Sequence, residues 1–312
     1  MARPHIEPFD ERTTPFRRLT LPGFPRGLHY KTLSVDSSTG ACSLVVKFES
    51  GWHRPAGFSY SELEFFLLDG SIEIGERRCG PGEYLWVPAG VSLPSMQVER
   101  GARALLYYNY GEPSFEASPE DHEDARRDAL VQVNAFEDLQ WKVGLRNPAV
   151  APGCVSKVLR VDPVTKGYTF LYCMSPNYWQ DNISYHDCAE ESYHIWGTSW
   201  MMQFGYLPTG GYFWRPPYIN HGAFASKLGC LALGRTDTDL VNYFHHNPWT
   251  NVEENRQRVV DKLAAEKPQV FRWVRSDDGH NHPAGTHVHA DGTAHAHPHD
   301  AQHEHRQKTR VN

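Results

Sequence analysis

The segment PTGGYFWRPPYINHGA, residues 208–223, decides the fold because an earlier segment, GPGEYLWVPAGVSLPS at residues 80–95, repeats its pattern. Both have a glycine turn followed by a strand-like run with aromatic residues and a proline. The preceding stretches LEFFLLDGSIEIG (63–75) and ESYHIWGTSWMMQFG (191–205) also correspond, since each contains a strand pattern that ends on glycine before a second strand pattern. The ordered landmarks predict an internal repeat of two similar β units.

Short apolar runs with a two-residue period, separated by Gly and Pro turns, occupy most of the remaining chain. A single sheet of so many strands would leave exposed edges and an uncovered face, so barrels or sandwiches are expected. The one helical pattern is TNVEENRQRVVDKLAAEK, in which Thr250 and Glu253 form a capping box. The prediction is an all-β chain with an N-terminal arm (1–29), a first barrel (30–112), a linker (113–150), a second barrel (151–249), a C-terminal helix and extension (250–275) and a tail (276–312).

Composition limits the classes of partner. The 312 residues carry a net charge of −6 without a Lys/Arg-rich run, which argues against nucleic-acid binding and favours small molecules. No signal-like h-region and no run of 18 apolar residues is present, so a cytoplasmic protein without membrane contact is expected. Six scattered cysteines without CxxC pairs indicate buried thiols rather than disulfides.

The tail is rich in histidine, with nine of the 18 histidines after residue 279. Gly, Ala, Pro and Asp separate them and no apolar pattern is present, which predicts disorder. Its imidazoles would bind Ni, Zn or Cu loosely. Metal acquisition for the neighbouring barrel is one hypothesis; a polar tail without a specific role is the other.

A candidate metal site lies in DNISYHDCAEESYHIWG, residues 181–197. His186, a short turn and Glu190 fit the end of one strand and the start of the next, and a later strand could bring His221 alongside. Two histidines and one carboxylate form a facial triad with open positions, which best suits Fe(II), with Mn, Ni or Zn as alternatives.

Strand geometry separates the neighbouring candidates. His194 lies four residues from Glu190, roughly 13 Å along a strand, which is too far to share one ion. Glu191 should face the opposite side of the strand from Glu190, so only one of them can be the ligand. Glu190 is favoured and Glu191 is held in reserve, with a further role as proton acceptor if it reaches the pocket.

At these residues the chain resembles the cupin superfamily, whose motifs are Gly-x5-His-x-His-x3-4-Glu-x6-Gly and Gly-x5-Pro-x-Gly-x2-His-x3-Asn. The matching residues are His186, Glu190, Gly197, Gly210, Pro216 and His221, while Ser184 replaces the first histidine, Tyr218 the glycine and Ala225 the asparagine. The resemblance implies double-stranded β-helix (jelly-roll) barrels and a bicupin, with the metal motif partly kept in the second barrel.

The first repeat keeps the glycines and proline of the second motif at Gly82, Pro88 and Gly90. Its histidine position holds Leu93, and Leu63 stands where Glu190 does. The first barrel is therefore expected to hold no metal and to serve a structural or dimerising role.

Aromatic residues are concentrated between residues 168 and 224, which favours an aromatic-lined pocket. Gln203, Arg215 and Arg235 are the candidate substrate-binding residues.

The leading hypothesis is an Fe(II) dioxygenase acting on a small aromatic or diketone-like compound, in the manner that the cupin resemblance implies. The alternatives are a metal-dependent isomerase or lyase acting on a carbonyl compound and a non-enzymatic small-molecule or metal-binding protein. Edge strands and aromatic surface residues are compatible with a homodimer.

Overall fold

The computed structural model describes residues 3–20, 23–143, 153–245, 252–266, 268, 286–288 and 294–296. These residues are mostly in antiparallel β-strands, which confirms the all-β prediction. Within these ranges, no helix has both the length and the apolar character that a membrane crossing requires.

Fourteen strands belong to the N-terminal half of the chain. They are β1 Ile6–Asp10, β2 Arg17–Arg18, β3 Leu28–Val35, β4 Cys42–Phe48, β5 Trp52–Arg54, β6 Gly57–Phe58, β7 Glu62–Gly70, β8 Ile72–Ile74, β9 Arg77–Cys79, β10 Glu83–Val87, β11 Met96–Val98, β12 Ala102–Asn109, β13 Glu116–Ala117 and β14 Val131–Asn134. Seven form a sheet in the order β14-β10-β7-β12-β4-β3-β2, and four form a second sheet in the order β5-β11-β8-β9. Apolar side chains of both sheets, among them Val46 and Phe65 of the first sheet and Val98 of the second, form one buried cluster inside this first barrel.

The second barrel has the same construction. Its strands are β15 Lys142–Val143, β16 Cys154–Val161, β17 Tyr168–Met174, β18 Tyr178–His186, β19 Glu190–Gly197, β20 Ser199–Met201, β21 Gly205–Leu207, β22 Gly211–Arg215, β23 His221–Ser226, β24 Cys230–Thr236 and β25 Asn242–His245. One sheet has the order β1-β22-β19-β24-β17-β16-β15, and the other has the order β21-β20-β23-β18-β25.

The N-terminal arm and the linker both contribute strands to the barrels. In the segment predicted as an arm, β1 pairs antiparallel with β22, so that Phe9 lies opposite Tyr212. In the segment predicted as a linker, β14 pairs with β10 of the first barrel and β15 pairs with β16 of the second. A 3₁₀ turn lies at Arg127–Ala129, in the described part of that segment.

The two repeats correspond at individual glycines. Gly70 ends β7 and Gly197 ends β19, with φ of 83° and 80°. A Cβ atom at Gly70 would lie 2.5 Å from the carbonyl oxygen of Gly101, and one at Gly197 would lie 2.3 Å from that of Gly229. Both positions therefore require glycine for the same two reasons, a left-handed backbone and a close backbone approach.

The larger sheets of the two barrels pack against each other through their outward faces. One buried apolar cluster combines Val45, Phe66 and Leu105 of the first barrel with Leu171 and Leu233 of the second. Removing this apolar surface from water stabilises the packed sheets. The junction is thus a third core, separate from the two barrel interiors.

The C-terminal helix α1 runs from Val252 to Glu266. Thr250, the predicted cap, lies outside the described residues. In the tail, β26 Thr286–Val288 and β27 Ala294–Ala296 pair antiparallel, and the remainder of the segment predicted as disordered also lies outside the described residues.

All six cysteines are free, and five of them are buried.

Candidate metal centre

Three strand ends position His186, Glu190 and His221. His186 ends β18, Glu190 begins β19 and His221 begins β23. Strands β18 and β23 are paired, with Ser184 opposite His221. The turn between β18 and β19 is held by the carboxylate of Asp237, which accepts the N–H of Ala189 at 2.8 Å.

The three side chains converge. One ligand atom from each of His186, Glu190 and His221 lies within 4.8 Å of the others. Nε2 of His186 lies 3.4 Å from Oε2 of Glu190, and the imidazole centroids of His186 and His221 are 4.6 Å apart. The structure thus brings together the three residues that the sequence singles out as metal ligands.

His221 is held in a form that can bind a cation. Its Nδ1 lies 2.8 Å from the carbonyl oxygen of Ile219, which can only accept, so Nδ1 carries the proton and Nε2 keeps its lone pair. Burial, with the charges of Arg215 and His186, lowers the pKa of His221 to about 3. A neutral imidazole fixed by a backbone carbonyl is the arrangement that metal-binding histidines use.

Glu190 is ionised despite its burial. Desolvation alone would raise its pKa, but His186, His221 and Arg215 together hold the pKa at about 2. Arg215 lies opposite Glu190 in the β19–β22 pairing and is 2% exposed. The site therefore holds a carboxylate and a neutral imidazole ready for a cation at neutral pH.

A cavity of about 80 Å³ lies inside the second barrel, and all three side chains lie on its wall. Its wall is mostly apolar and aromatic and includes Phe170, Tyr172, Tyr178, Phe213, Phe224 and Phe244. The polar side chains on this wall, besides the three convergent residues, are Gln180, Ser184, His194, Ser199 and Asn242.

The donor set fits a transition metal. Two imidazoles and one carboxylate suit Fe, Mn, Ni or Zn better than the all-oxygen sites of Ca²⁺ and Mg²⁺. Nδ1 of His186 is buried without a hydrogen-bond partner among the described residues. Burying these polar groups costs free energy, which coordination of a cation would offset.

Glu191 does not belong to this site. It lies on the other face of β19, where its Oε2 accepts hydrogen bonds from Ser43 at 2.6 Å and from Tyr212 at 2.6 Å. It also pairs with Arg235. The expectation that Glu191 is a proton acceptor at the metal is corrected by this placement, because side chains of consecutive strand residues point in opposite directions.

Arg235 likewise lies in the junction between the barrels. Its Nη2 donates to Glu64 at 2.8 Å and to Asn109 at 2.6 Å, both in the first barrel. Arg235 is not on the wall of the metal-site cavity but on that of a polar cavity at the junction, so its expected role in substrate binding is corrected.

Gln203 and Arg215 also lie off the cavity wall. Oε1 of Gln203 accepts the N–H of Gly222 at 3.0 Å, which braces the strand that follows His221. Arg215 donates to Sδ of Met201 at 2.9 Å, and its guanidinium lies over the rings of Phe204 and Phe213. Both residues support the site rather than face its cavity.

The sequence interpretation overlooked Gln180 and Asn242 and treated His194 as a core or outer residue. Nε2 of His194 lies 2.8 Å from Oγ of Ser199, and burial lowers the pKa of His194 to about 4. The two-residue alternation along β18, which buries Gln180, Ser184 and His186, is the signal that identifies Gln180.

The first barrel has no comparable set of ligands. Gly90 donates its N–H to the carbonyl oxygen of Ser59 at 2.8 Å, as Tyr218 does to that of His186 at 2.7 Å. Ser59 therefore occupies the position of His186. With Leu63 and Leu93 at the positions of Glu190 and His221, this barrel lacks every one of the three ligands.

Residues 28–243 match a family described as a domain of unknown function, DUF4437. No curated protein matches the sequence. Similar solved structures include a putative dioxygenase from Nostoc punctiforme PCC 73102, with a TM-score of 0.71 and 21% identity over 78% of this chain and 91% of that one.

Oxalate decarboxylase from Bacillus subtilis is similar with a TM-score of 0.51 and 13% identity over 76% of this chain and 78% of that one. The protein YlbA from E. coli has a TM-score of 0.51 and 16% identity over 76% and 94% of the two chains. At these identities the likeness is one of fold.

Proposed function

This chain belongs to the DUF4437 family, and we propose that it is a metal-dependent cupin enzyme, an Fe(II) dioxygenase for a small aromatic or diketone-like substrate. The observation that carries the proposal is the convergence of two imidazoles and one carboxylate within 4.8 Å, on the wall of an aromatic cavity. Three protein ligands leave positions open for other molecules.

His186, Glu190 and His221 would hold the ion. When bound, Fe(II) supplies a Lewis acid and a redox centre at which dioxygen and a chelating substrate can be activated. The protein's own contribution lies in two features: the carbonyl of Ile219 fixes His221, and His186, His221 and Arg215 together keep Glu190 ionised.

The side chains of the cavity wall would determine which substrates bind. Flat apolar surfaces from Phe170, Phe213 and Phe224 favour an aromatic or other apolar body. His194 is buried, and its Nδ1 has no hydrogen-bond partner within the described residues. This nitrogen is suited to bind a polar group of the substrate, and we assign that role to His194.

The choice of oxygenation over a redox-neutral reaction draws on the Nostoc neighbour, whose name is that of a dioxygenase. The decarboxylase of Bacillus subtilis has the same fold with another reaction, so the fold alone does not choose. The triad and the cavity would suit an isomerase or lyase equally well. Only the dioxygenase consumes dioxygen, so oxygen consumption distinguishes the two classes of enzyme.

The test is oxygen consumption by protein purified anaerobically and loaded with Fe(II), assayed with catechol and with pentane-2,4-dione. Consumption that depends on substrate and is abolished in Glu190→Gln supports the dioxygenase. The matched control is Glu191→Gln, which changes the adjacent residue on the opposite face. An iron-loaded protein that converts a carbonyl substrate without consuming oxygen would instead establish the isomerase or lyase.

A further inference from the structure

The first barrel retains an internal cavity although its metal ligands are absent. The cavity has a volume of about 70 Å³, close to the 80 Å³ of the metal-site cavity. Ser59, Leu63 and Leu93 line it at the positions that hold the three convergent residues in the second barrel. The interior of the first barrel is therefore not filled, although it lacks the three ligands.

The wall of this cavity is apolar, with one charged side chain. The apolar residues include Leu28, Phe48, Phe58, Phe65, Leu85, Val87, Val91, Met96 and Leu106, and no aspartate or glutamate lies on the wall. Arg54 is the charged residue. A single, half-buried cation among apolar side chains is an unusual wall composition, because a charge withdrawn from water needs a partner.

Arg54 has no acidic partner in the described part of the chain. Its Nε donates to Sδ of Met96 at 3.0 Å, and its Nη1 donates to the carbonyl oxygens of Pro55 at 3.0 Å and Gly57 at 3.5 Å. Its guanidinium also lies over the ring of Phe115, 5.1 Å from the centroid. No carboxylate oxygen among the described residues lies within 4.0 Å of its guanidinium. Burial lowers the pKa of Arg54 to about 10, so the group remains charged at neutral pH.

A second hydrogen-bond donor, Trp52, lies on the same face of β5 as Arg54. Trp52 and Arg54 are two residues apart on β5, so both side chains point into the barrel. Trp52 is 5% exposed, and its Nε1 has no hydrogen-bond partner within the described residues. The cavity thus offers a cation and an unpaired N–H donor, and an anionic acceptor is a suitable partner for each of them.

We propose that the first barrel binds a small carboxylate with an apolar body, with the carboxylate at Arg54 and the body among Phe48, Phe65 and Leu93. An aromatic monocarboxylate is the simplest molecule of this class. This site lies in the other barrel from the metal centre and does not depend on the function proposed above.

The test is a ¹⁹F NMR titration of the full-length chain with 4-fluorobenzoate and, separately, with the uncharged 4-fluorotoluene. We expect saturable binding of 4-fluorobenzoate to the wild type and weaker binding of 4-fluorotoluene. Arg54→Gln should weaken 4-fluorobenzoate about tenfold or more, since it removes a charge-assisted hydrogen bond. The matched control is His53→Gln, an exposed position on the same strand, which should bind like the wild type.

Two further variants distinguish the barrels. Leu93→Trp fills the first cavity and should abolish binding, with folding checked by circular dichroism. His221→Ala alters the second barrel and should retain binding. The proposal is overturned if the wild type shows no saturable binding, if Arg54→Gln binds as tightly as the wild type, or if binding is lost in His221→Ala but kept in Leu93→Trp.

Discussion

Glu190 and Glu191 are neighbours on β19, yet their carboxylates belong to two different parts of the molecule. Glu190 lies in the cavity with His186 and His221, and Glu191 lies in the junction with Arg235 and Tyr212. Strand β19 of the second barrel thus carries a candidate metal ligand on the face towards the cavity and an ion pair that joins the barrels on the other face.

The two glutamates should separate metal binding from stability. Glu190→Gln should lose the metal, because an uncharged amide is a weaker ligand than a carboxylate. Glu191→Gln should keep the metal and lower the free energy of unfolding by roughly 1.5–3 kcal/mol, since it removes charge from a buried hydrogen-bonded group. Metal analysis and urea denaturation of both variants check this. Metal loss in Glu191→Gln with unchanged stability would contradict the assignment of the two faces.

Arg235 should be a major stabilising residue of the junction. Its substitution by methionine leaves the buried carboxylates of Glu64 and Glu191 without their shared partner, and we expect a loss of about 3–5 kcal/mol. Arg103→Met is the control, because Arg103 pairs with Asp69 at the surface, where the side chains are 40% and 52% exposed. That variant should lose less than about 1 kcal/mol. Similar losses in the two variants would argue against the junction network.

Stability should fall as the pH falls below 6.5, partly through His194. Its pKa is lowered by burial from 6.5 to about 4. In that window the unfolded chain binds a proton that the folded chain excludes, so the contribution is complete above pH 6.5 and is lost towards pH 4. His194→Gln should reduce the slope of unfolding free energy against pH by up to about 1.4 kcal/mol per unit. Equal slopes for the variant and the wild type would contradict a neutral, buried His194.

Tyr218→Gly should stabilise the protein. Tyr218 has a φ of 68° at the position where the first barrel has Gly90, with a φ of 77°. A left-handed backbone at a non-glycine residue costs roughly 1–2 kcal/mol, which the substitution by glycine would relieve. Glycine also raises the conformational entropy of the unfolded chain, which offsets about 0.4–1 kcal/mol of this gain. We therefore expect a net gain of about 0.5–1 kcal/mol by urea denaturation. The side chain is 69% exposed, so little packing is lost.

Gly90→Ala is the converse variant. Its Cβ would lie 2.8 Å from Cβ of His122 in addition to the backbone strain, so it should destabilise the first barrel. A neutral Gly90→Ala together with a destabilising Tyr218→Gly would reverse the expected order and contradict the correspondence of the two turns.

Spacing along the chain was sufficient to predict the local features. The glycines and prolines of residues 80–95 and 208–223 identify the repeat, and the four-residue interval from His186 to Glu190 identifies two of the three convergent residues. These features depend on strands and turns that are neighbours in sequence, whose period and turn chemistry the sequence displays directly.

Long-range placement could not be predicted in the same way. Strand alternation separates Glu190 from Glu191 but does not reveal that the second barrel's Glu191 faces Ser43 of the first. Nor does it reveal that β1, with the sequence IEPFD, pairs with β22 about 200 residues later. Both depend on how the two barrels pack, which a single sequence does not encode as a local pattern.

Metal analysis of anaerobically purified protein tests the central claim most directly. The chain should end at Ser276, so that the histidine-rich tail does not contribute bound metal, and the wild type should be compared with His186→Ala, His221→Ala and Glu191→Gln. The account predicts about one transition-metal ion per chain in the wild type and in Glu191→Gln, and a loss of nearly all of it in both histidine variants. A wild type that binds no metal, or histidine variants that retain it, would contradict the metal centre.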